Sequence, residues 1–310
     1  MSLVSIVVPS RGGASRLPHL LTALTAQHDS QWEAIVVLDG DIDGSNAAIA
    51  DHADCRVRTI TFSENQGRVA ALNAGFEDAR GDVLIRCDDD LRPHPGYVAA
   101  HRASHSGAPC GTVGLYQNVY PDTPYARVYG QAMDHIFRNE AYATAPARRW
   151  QYWAGNVSVT RDTWEKIGRY DPDYRAYGWE DVDYGYRLHV AGIPIVLDRN
   201  LETPHHVAAT TTRIRATRAF LSGAAQDTFE KKHGREATGL TEHSQPGLWN
   251  RLVSVGGRCA TPRTIAAAAA AIDRTLPILP RWVGHKAVAW TVESASLGGQ
   301  LRPTLTRTDI

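Results

Sequence analysis

A chain of 310 residues, 43% apolar and 21% charged, can bury a substantial core as one large domain or two fused ones. Lys+Arg and Asp+Glu are equal at 33 each, so no global field recruits nucleic acid or a membrane surface. The four cysteines, Cys55, Cys87, Cys110 and Cys259, stand far apart, which argues against a zinc ribbon or disulfide framework and points to the cytoplasm. The first residues lack the basic-then-apolar pattern of a secretory leader. No apolar run approaches the roughly 20 residues needed to span a bilayer.

Residues 3–8 read as a β-rich strand ended by Pro9, followed by the loop Ser10-Arg11-Gly12-Gly13. A helix over 17–26 leads to an almost wholly apolar strand at 32–38, which ends in Asp39-Gly40-Asp41. A helix over 45–52, a strand over 57–62 and a helix over 67–79 follow. The apolar run Val83-Leu84-Ile85 then opens into Asp88-Asp89-Asp90. Apolar strands alternating with helices predict an α/β fold, with a parallel sheet covered on both faces. Ligands of such sheets gather beyond the carboxyl ends of the strands, where Asp39 and Asp88–Asp90 lie.

Three successive carboxylates at a strand end repel one another unless something positive sits among them. In extended backbone Asp88 and Asp90 point the same way while Asp89 faces elsewhere. Two hard oxygen donors on a loop suit Mg²⁺ or Mn²⁺; the bland reading is a solvated acidic turn. Residues 111–204 are dense in aromatics, which stack on sugar rings or build a core. A helix over 179–191 closed by Gly192 and a strand over 193–197 complete this part. Between Pro246 and Ile310 eight Lys/Arg face three Asp/Glu, with an alanine-rich helix at 265–272. Such a basic, partly amphipathic extension suits peripheral membrane or partner contact, or caps the catalytic body.

The ordered set Val4-Ser5-Ile6-Val7-Val8-Pro9, Val36-Val37-Leu38-Asp39-Gly40, Asn65-Gln66-Gly67-Arg68 and Asp88-Asp89-Asp90 resembles the family-2 glycosyltransferases of the GT-A fold. Trp153-Ala154-Gly155-Asn156 and Tyr177-Gly178-Trp179-Glu180-Asp181-Val182-Asp183 resemble that family's acceptor half. This half is most similar to the polypeptide N-acetylgalactosaminyltransferase and chondroitin-polymerase type. The resemblance implies a Rossmann-like, mostly parallel sheet flanked by helices, with a helical C-terminal extension. It divides the chain into a nucleotide-sugar half (1–110), an acceptor-binding and catalytic half (111–235) and the extension (236–310).

The resemblance also implies roles. Asp39 would meet the uracil of a UDP-sugar, with Pro9 and Arg11 beside the nucleotide and Arg68 at the diphosphate. Asp88 and Asp90 form the DXD metal pair for Mn²⁺ or Mg²⁺, and Asp88 and Asp89 would also line the nucleotide. A third metal ligand is expected from His206, or else from His205. Glu180 and Asp181 open a helix, whose N-terminus favours ionised carboxylates. The base that deprotonates an acceptor hydroxyl is then Asp181, with Glu180 positioning the acceptor or the roles reversed. Trp153, Gly155, Asn156 and Trp179 would contact the sugars. The implied activity is a metal-dependent, inverting sugar transfer from a nucleotide sugar to a hydroxyl of a glycan or small molecule. The alternatives are a sugar-phosphate nucleotidyltransferase and a non-catalytic nucleotide- or glycan-binding module.

Overall fold

Along the chain, β1 (Val4–Ser10), α1 (Leu17–Thr25), β2 (Trp32–Leu38), α2 (Ser45–Ala50), β3 (Val57–Thr61), α3 (Arg68–Asp78), β4 (Val83–Cys87) and α4 (Tyr97–Ser104) alternate strand and helix. There follow β5 (Gly111–Val113), β6 (Tyr116–Asn118), α5 (Gln131–Ala143), β7 (Asn156–Thr160), α6 (Arg161–Ile167), α7 (Glu180–Val190), β8 (Ile195–Leu197) and β9 (Thr203–His205). The helices α8 (Thr212–His233), α9 (Leu248–Cys259), α10 (Pro262–Thr275) and α11 (Arg281–Leu301) end the chain. This computed structural model describes residues 2–52, 54–175, 178–206, 208–238 and 247–306; Tyr177 of the motifs above lies outside them.

One compact unit comprises residues 1–119, 138–175 and 180–207. Its sheet has the order β3-β2-β1-β4-β7-β5-β8, parallel except where β7 runs against both β4 and β5. The strands of the first half are apolar on both sides because helices cover both faces. Val4, Ile6 and Val8 join Leu17, Leu20, Leu21 and Leu24 of α1 in one fully buried cluster. On the opposite side α3 comes close enough that a Cβ on Gly75 would fall 2.4 Å from Val7. Pro9 does not end β1, which continues to Ser10 opposite Leu38. Pairing with β4 stops at Val7, so the missing Pro9 N–H falls on the side where no partner strand needs it.

The aromatic residues of the second half are mainly core. Trp150, Trp153, Tyr170, Tyr174 and Tyr184 are nearly inaccessible. Tyr170 stacks on Phe76 and Tyr184, and Tyr184 on Trp153.

The other unit comprises residues 120–137, 176–179 and 208–310. Phe220, Ala216, Val288, Val292 and Ala295 are in its core. α8 and α11 cross at glycines: a Cβ on Gly223 would meet Ser296 O at 2.0 Å, and one on Gly299 would meet Phe220 O at 2.0 Å. Among the described residues no helix is long and apolar enough to cross a membrane.

Candidate active site

Chemistry-bearing side chains of the first unit gather at the carboxyl end of β4. The turn after Cys87 carries Asp88, Asp89 and Asp90. Asp88 is tied to the neighbouring strand by its N–H, which donates to Gly155 O at 2.9 Å. The segment beyond Asp90 pairs with β9: Leu91 bridges His205, and Arg92 N–H donates to Pro204 O. β9 is itself in parallel register with β6, Asn118 opposite His205.

This register decides which histidine meets the acids. His205 Nε2 lies 3.1 Å from Asp90 Oδ2, and its Nδ1 lies 2.6 Å from Asn118 Oδ1. The imidazole also stacks on the Tyr116 ring, with centroids 4.7 Å apart. His206, expected as the first choice, has an exposed side chain, and only its backbone N–H reaches Asp90, at the carbonyl. Successive residues of an extended segment face opposite ways, so one of the two had to turn out.

The donors fit a divalent cation. With Nδ1–H donating to Asn118, Nε2 presents a lone pair beside a carboxylate oxygen, an arrangement that a cation relieves. Asp90 Oδ1 is buried and has no hydrogen-bond partner among the described residues. One carboxylate and one imidazole leave positions for water and phosphate oxygens, the habit of Mg²⁺ and Mn²⁺. Among the described residues no three acidic, histidine or cysteine side chains converge on one point.

Arg86 was not anticipated, although a charged residue two places before Asp88 in an apolar strand was a visible signal. It is wholly buried, and its Nε donates to Asp88 Oδ1 at 3.0 Å while Nη1 donates to Asp181 Oδ1. Burial disfavours its charge, but Asp181 and Asp88 more than restore it, so it stays protonated. Burial likewise pushes Asp88 up, yet Arg86 and Arg68 outweigh that and hold its carboxyl below the usual range. Tyr116 Oη donates to Asp88 Oδ2 at 3.3 Å and accepts from Gly155 N–H at 2.8 Å. A Cβ on Gly155 would fall 2.1 Å from Asp88 Oδ2, so that position has no room for a side chain.

The two acids that open α7 differ. Glu180 is 2% exposed, with Oε1 accepting from Arg68 Nη1 at 3.2 Å. The Asp181 side chain is 16% exposed. Burial pushes the Asp181 carboxyl up; Arg86 pulls it back, Glu180 raises it further, and it comes to about 7.

Several expected contacts have other tasks. Asp89 accepts from Ser10 Oγ at 2.5 Å and from both Arg16 Nε and Nη2, which ties the loop after β1 to the acidic turn. Asp39 accepts from the N–H groups of Gln66 at 2.6 Å and Gly67 at 3.0 Å, so it anchors the loop into α3. Asn156 is fully buried: it accepts from Tyr97 Oη and donates to Leu201 O and Thr203 Oγ1. Trp153 is 2% exposed and donates to Tyr170 Oη, so its indole is core and not a sugar platform. Pro9 is half-buried and the Arg11 side chain exposed. Trp179 belongs to the second unit, where its ring lies 5.0 Å from Phe229; its φ of 70° is left-handed, unusual for a bulky residue.

Two family models match the chain. "Glycosyl transferase family 2" matches residues 5–163, and "N-terminal domain of galactosyltransferase" matches residues 134–209. The validoxylamine A glucosyltransferase of Streptomyces hygroscopicus subsp. jinggangensis is 27% identical over 66% of this chain and 56% of its own length. The undecaprenyl-phosphate 4-deoxy-4-formamido-L-arabinose transferase of Aeromonas hydrophila is 38% identical over 31% of each chain. The chain spans about half the length of the validoxylamine relatives it matches. Among solved structures, the mannosyltransferase PcManGT from Pyrobaculum calidifontis, in complex with GDP-Man and Mn²⁺, superimposes with a TM-score of 0.65 at 16% identity. The match covers 96% of this chain and 87% of that one. TarS of S. aureus gives a TM-score of 0.52 at 12% identity, covering 97% and 91%.

Proposed function

The chain belongs to glycosyl transferase family 2, and on that premise we propose that it is a divalent-metal-dependent, inverting glycosyltransferase. It moves a sugar from a UDP-sugar to a hydroxyl of a glycan or small molecule. The observation that carries this reading is Asp181, a carboxyl pushed up to about 7 and joined through buried Arg86 to the acidic strand end.

Asp181 takes the proton of the acceptor hydroxyl as its oxygen attacks the anomeric carbon on the face opposite the leaving group. The bond from that carbon to the phosphate oxygen breaks, and its electron pair leaves on the nucleoside diphosphate. Arg68, at the start of α3, is held by Glu180 and offers positive charge to the diphosphate. Asp90 and His205 would hold Mn²⁺ or Mg²⁺, with Asp88 alongside; when bound, the ion neutralises charge on the diphosphate. Arg86 keeps the Asp88 and Asp181 carboxylates in place at once.

The test is a panel of nucleotide sugars, scored for release of nucleoside diphosphate with Mn²⁺ and with EDTA. Release from a UDP-sugar that EDTA abolishes is the expected result. Turnover that survives EDTA overturns the metal role, and pyrophosphate release from UTP and a sugar phosphate overturns the reaction class.

A further inference from the structure

α9 is apolar on two faces and uses only one of them. Its inner face packs on α11: a Cβ on Gly256 would meet Ser294 Oγ at 2.2 Å, and one on Gly257 would meet Leu297 at 2.7 Å. Trp249 Nε1 donates to Glu293 Oε2 on the same helix. The other face carries Leu248, Leu252 and Val255, exposed by 76%, 48% and 61%. Their spacing of four and three residues makes one stripe, continued by exposed Cys259. Exposed Arg251 and Arg258 flank it.

Further exposed apolar side chains precede the part of α11 that meets the N-terminal end of α9. Lys286 of α11 lies over the Trp249 ring, Nζ 4.8 Å from the centroid. One turn earlier on α11 stands Trp282, 74% exposed, next to exposed Arg281 and shortly after Ile278, 83% exposed. Between Gly247 and Thr306 seven Lys/Arg face two Asp/Glu. An aqueous surface gains nothing from this row of large apolar side chains.

We propose that this face of α9, with Trp282 and Ile278, is a docking surface for an anionic lipid bilayer on which the helix lies without crossing. The stripe would enter the acyl boundary, the arginines would meet lipid phosphates, and the indole would sit at headgroup level. A second copy of the chain is a poorer occupant, because a self-complementary contact would set Arg251 and Arg258 against their own kind. The attachment is independent of the proposed sugar transfer, so its test scores binding and not turnover.

The full chain is sedimented with vesicles of phosphatidylcholine containing about one-quarter phosphatidylglycerol, and with phosphatidylcholine alone. The wild type is expected to partition onto the anionic vesicles and to be released by high salt. Leu252→Glu with Val255→Glu should lower that partition about tenfold or more. Arg251→Gln and Arg258→Gln should each lower it about fivefold. Circular dichroism of each variant reports whether it folds as the wild type does. No preference for anionic vesicles, or a folded double-glutamate variant that binds as well as the wild type, overturns the proposal. So does a dimer in sedimentation velocity that the double-glutamate variant dissolves without any vesicle binding, which would make the face a self-association interface.

Discussion

Arg86, wholly buried, donates a hydrogen bond to the carboxylate of Asp181 while its Nε holds Asp88 at 3.0 Å. This contact favours the ionised form on which the proposed transfer depends, against the burial that opposes it. As a base Asp181 works only unprotonated, and its carboxyl sits at about 7, chiefly through burial. The rate of transfer should therefore rise with pH through an apparent pKa near 7 and level off above it. Asp181→Asn should lower kcat about 10²–10⁴-fold and leave UDP affinity, measured by calorimetry, within about twofold.

The same shift predicts a stability effect of opposite sign. A carboxyl raised in the folded state stabilises the protein below the ordinary carboxylate range and loses that contribution as pH climbs toward 7. Asn keeps an oxygen for Arg86 but cannot ionise. Asp181→Asn should thus be more stable than the wild type at pH 8 by about 1 kcal/mol, with the gap closing near pH 4. Thermal melts at the two pH values measure it, and a gap that grows as pH falls contradicts it.

His205 and His206 are neighbours in sequence with different expected fates. His205 faces Asp90 and is oriented through Nδ1 by Asn118, so His205→Ala should weaken Mn²⁺ binding about 10–100-fold. His206→Ala should change it by less than about threefold, because that side chain is exposed. Titrating Mn²⁺ by electron paramagnetic resonance, without donor, separates binding from turnover.

How far the sequence speaks for the site can be judged on these residues. Alternating apolar strands and helices, with acids at strand ends, made the α/β sheet and its acidic edge legible. The acidic turn Asp88–Asp90 was legible because an apolar run that opens into carboxylates is a local pattern. The position of His205 beside Asp90 was not, since it depends on the register of β9 on β6, two short strands far apart in sequence. Nor were the fates of Trp153 and Asn156: the same residue types suit a sugar or a core, and long-range packing around antiparallel β7 decided for the core. Arg86 was visible as a charge in an apolar strand, but its partner Asp181 lies 95 residues on.

Asp89 is expected to matter for stability. Its carboxylate joins Ser10 and Arg16 to the acidic turn and is 7% exposed. Asp89→Ala leaves the Arg16 guanidinium, itself 26% exposed, without that partner. Unfolding in urea should show a loss of about 1–3 kcal/mol. Asp89→Asn, which still accepts from Ser10, should lose less. An unchanged midpoint for the alanine variant would mean that the loop after β1 is held by other contacts.

Gly155 gives the sharpest test of the site's geometry. It leaves its own N–H on Tyr116 and its carbonyl on Asp88 N–H, with no space between its Cα and the Asp88 carboxylate. In Gly155→Ala the new methyl would fall 2.3 Å from Tyr116 Oη as well as against Asp88. The Asp88 carboxylate is on a strand end and can swing; the β4 and β7 backbones, paired in register, cannot. The displaced carboxylate then loses Arg86 and Tyr116 together. A misplacement of about 1 Å costs on the order of 10²-fold in rate, so donor turnover should fall by about that factor while the melting temperature drops only modestly. A variant that unfolds outright would put the strain in the sheet, and one with wild-type turnover would mean that Asp88 need not stand where Arg86 and Tyr116 hold it.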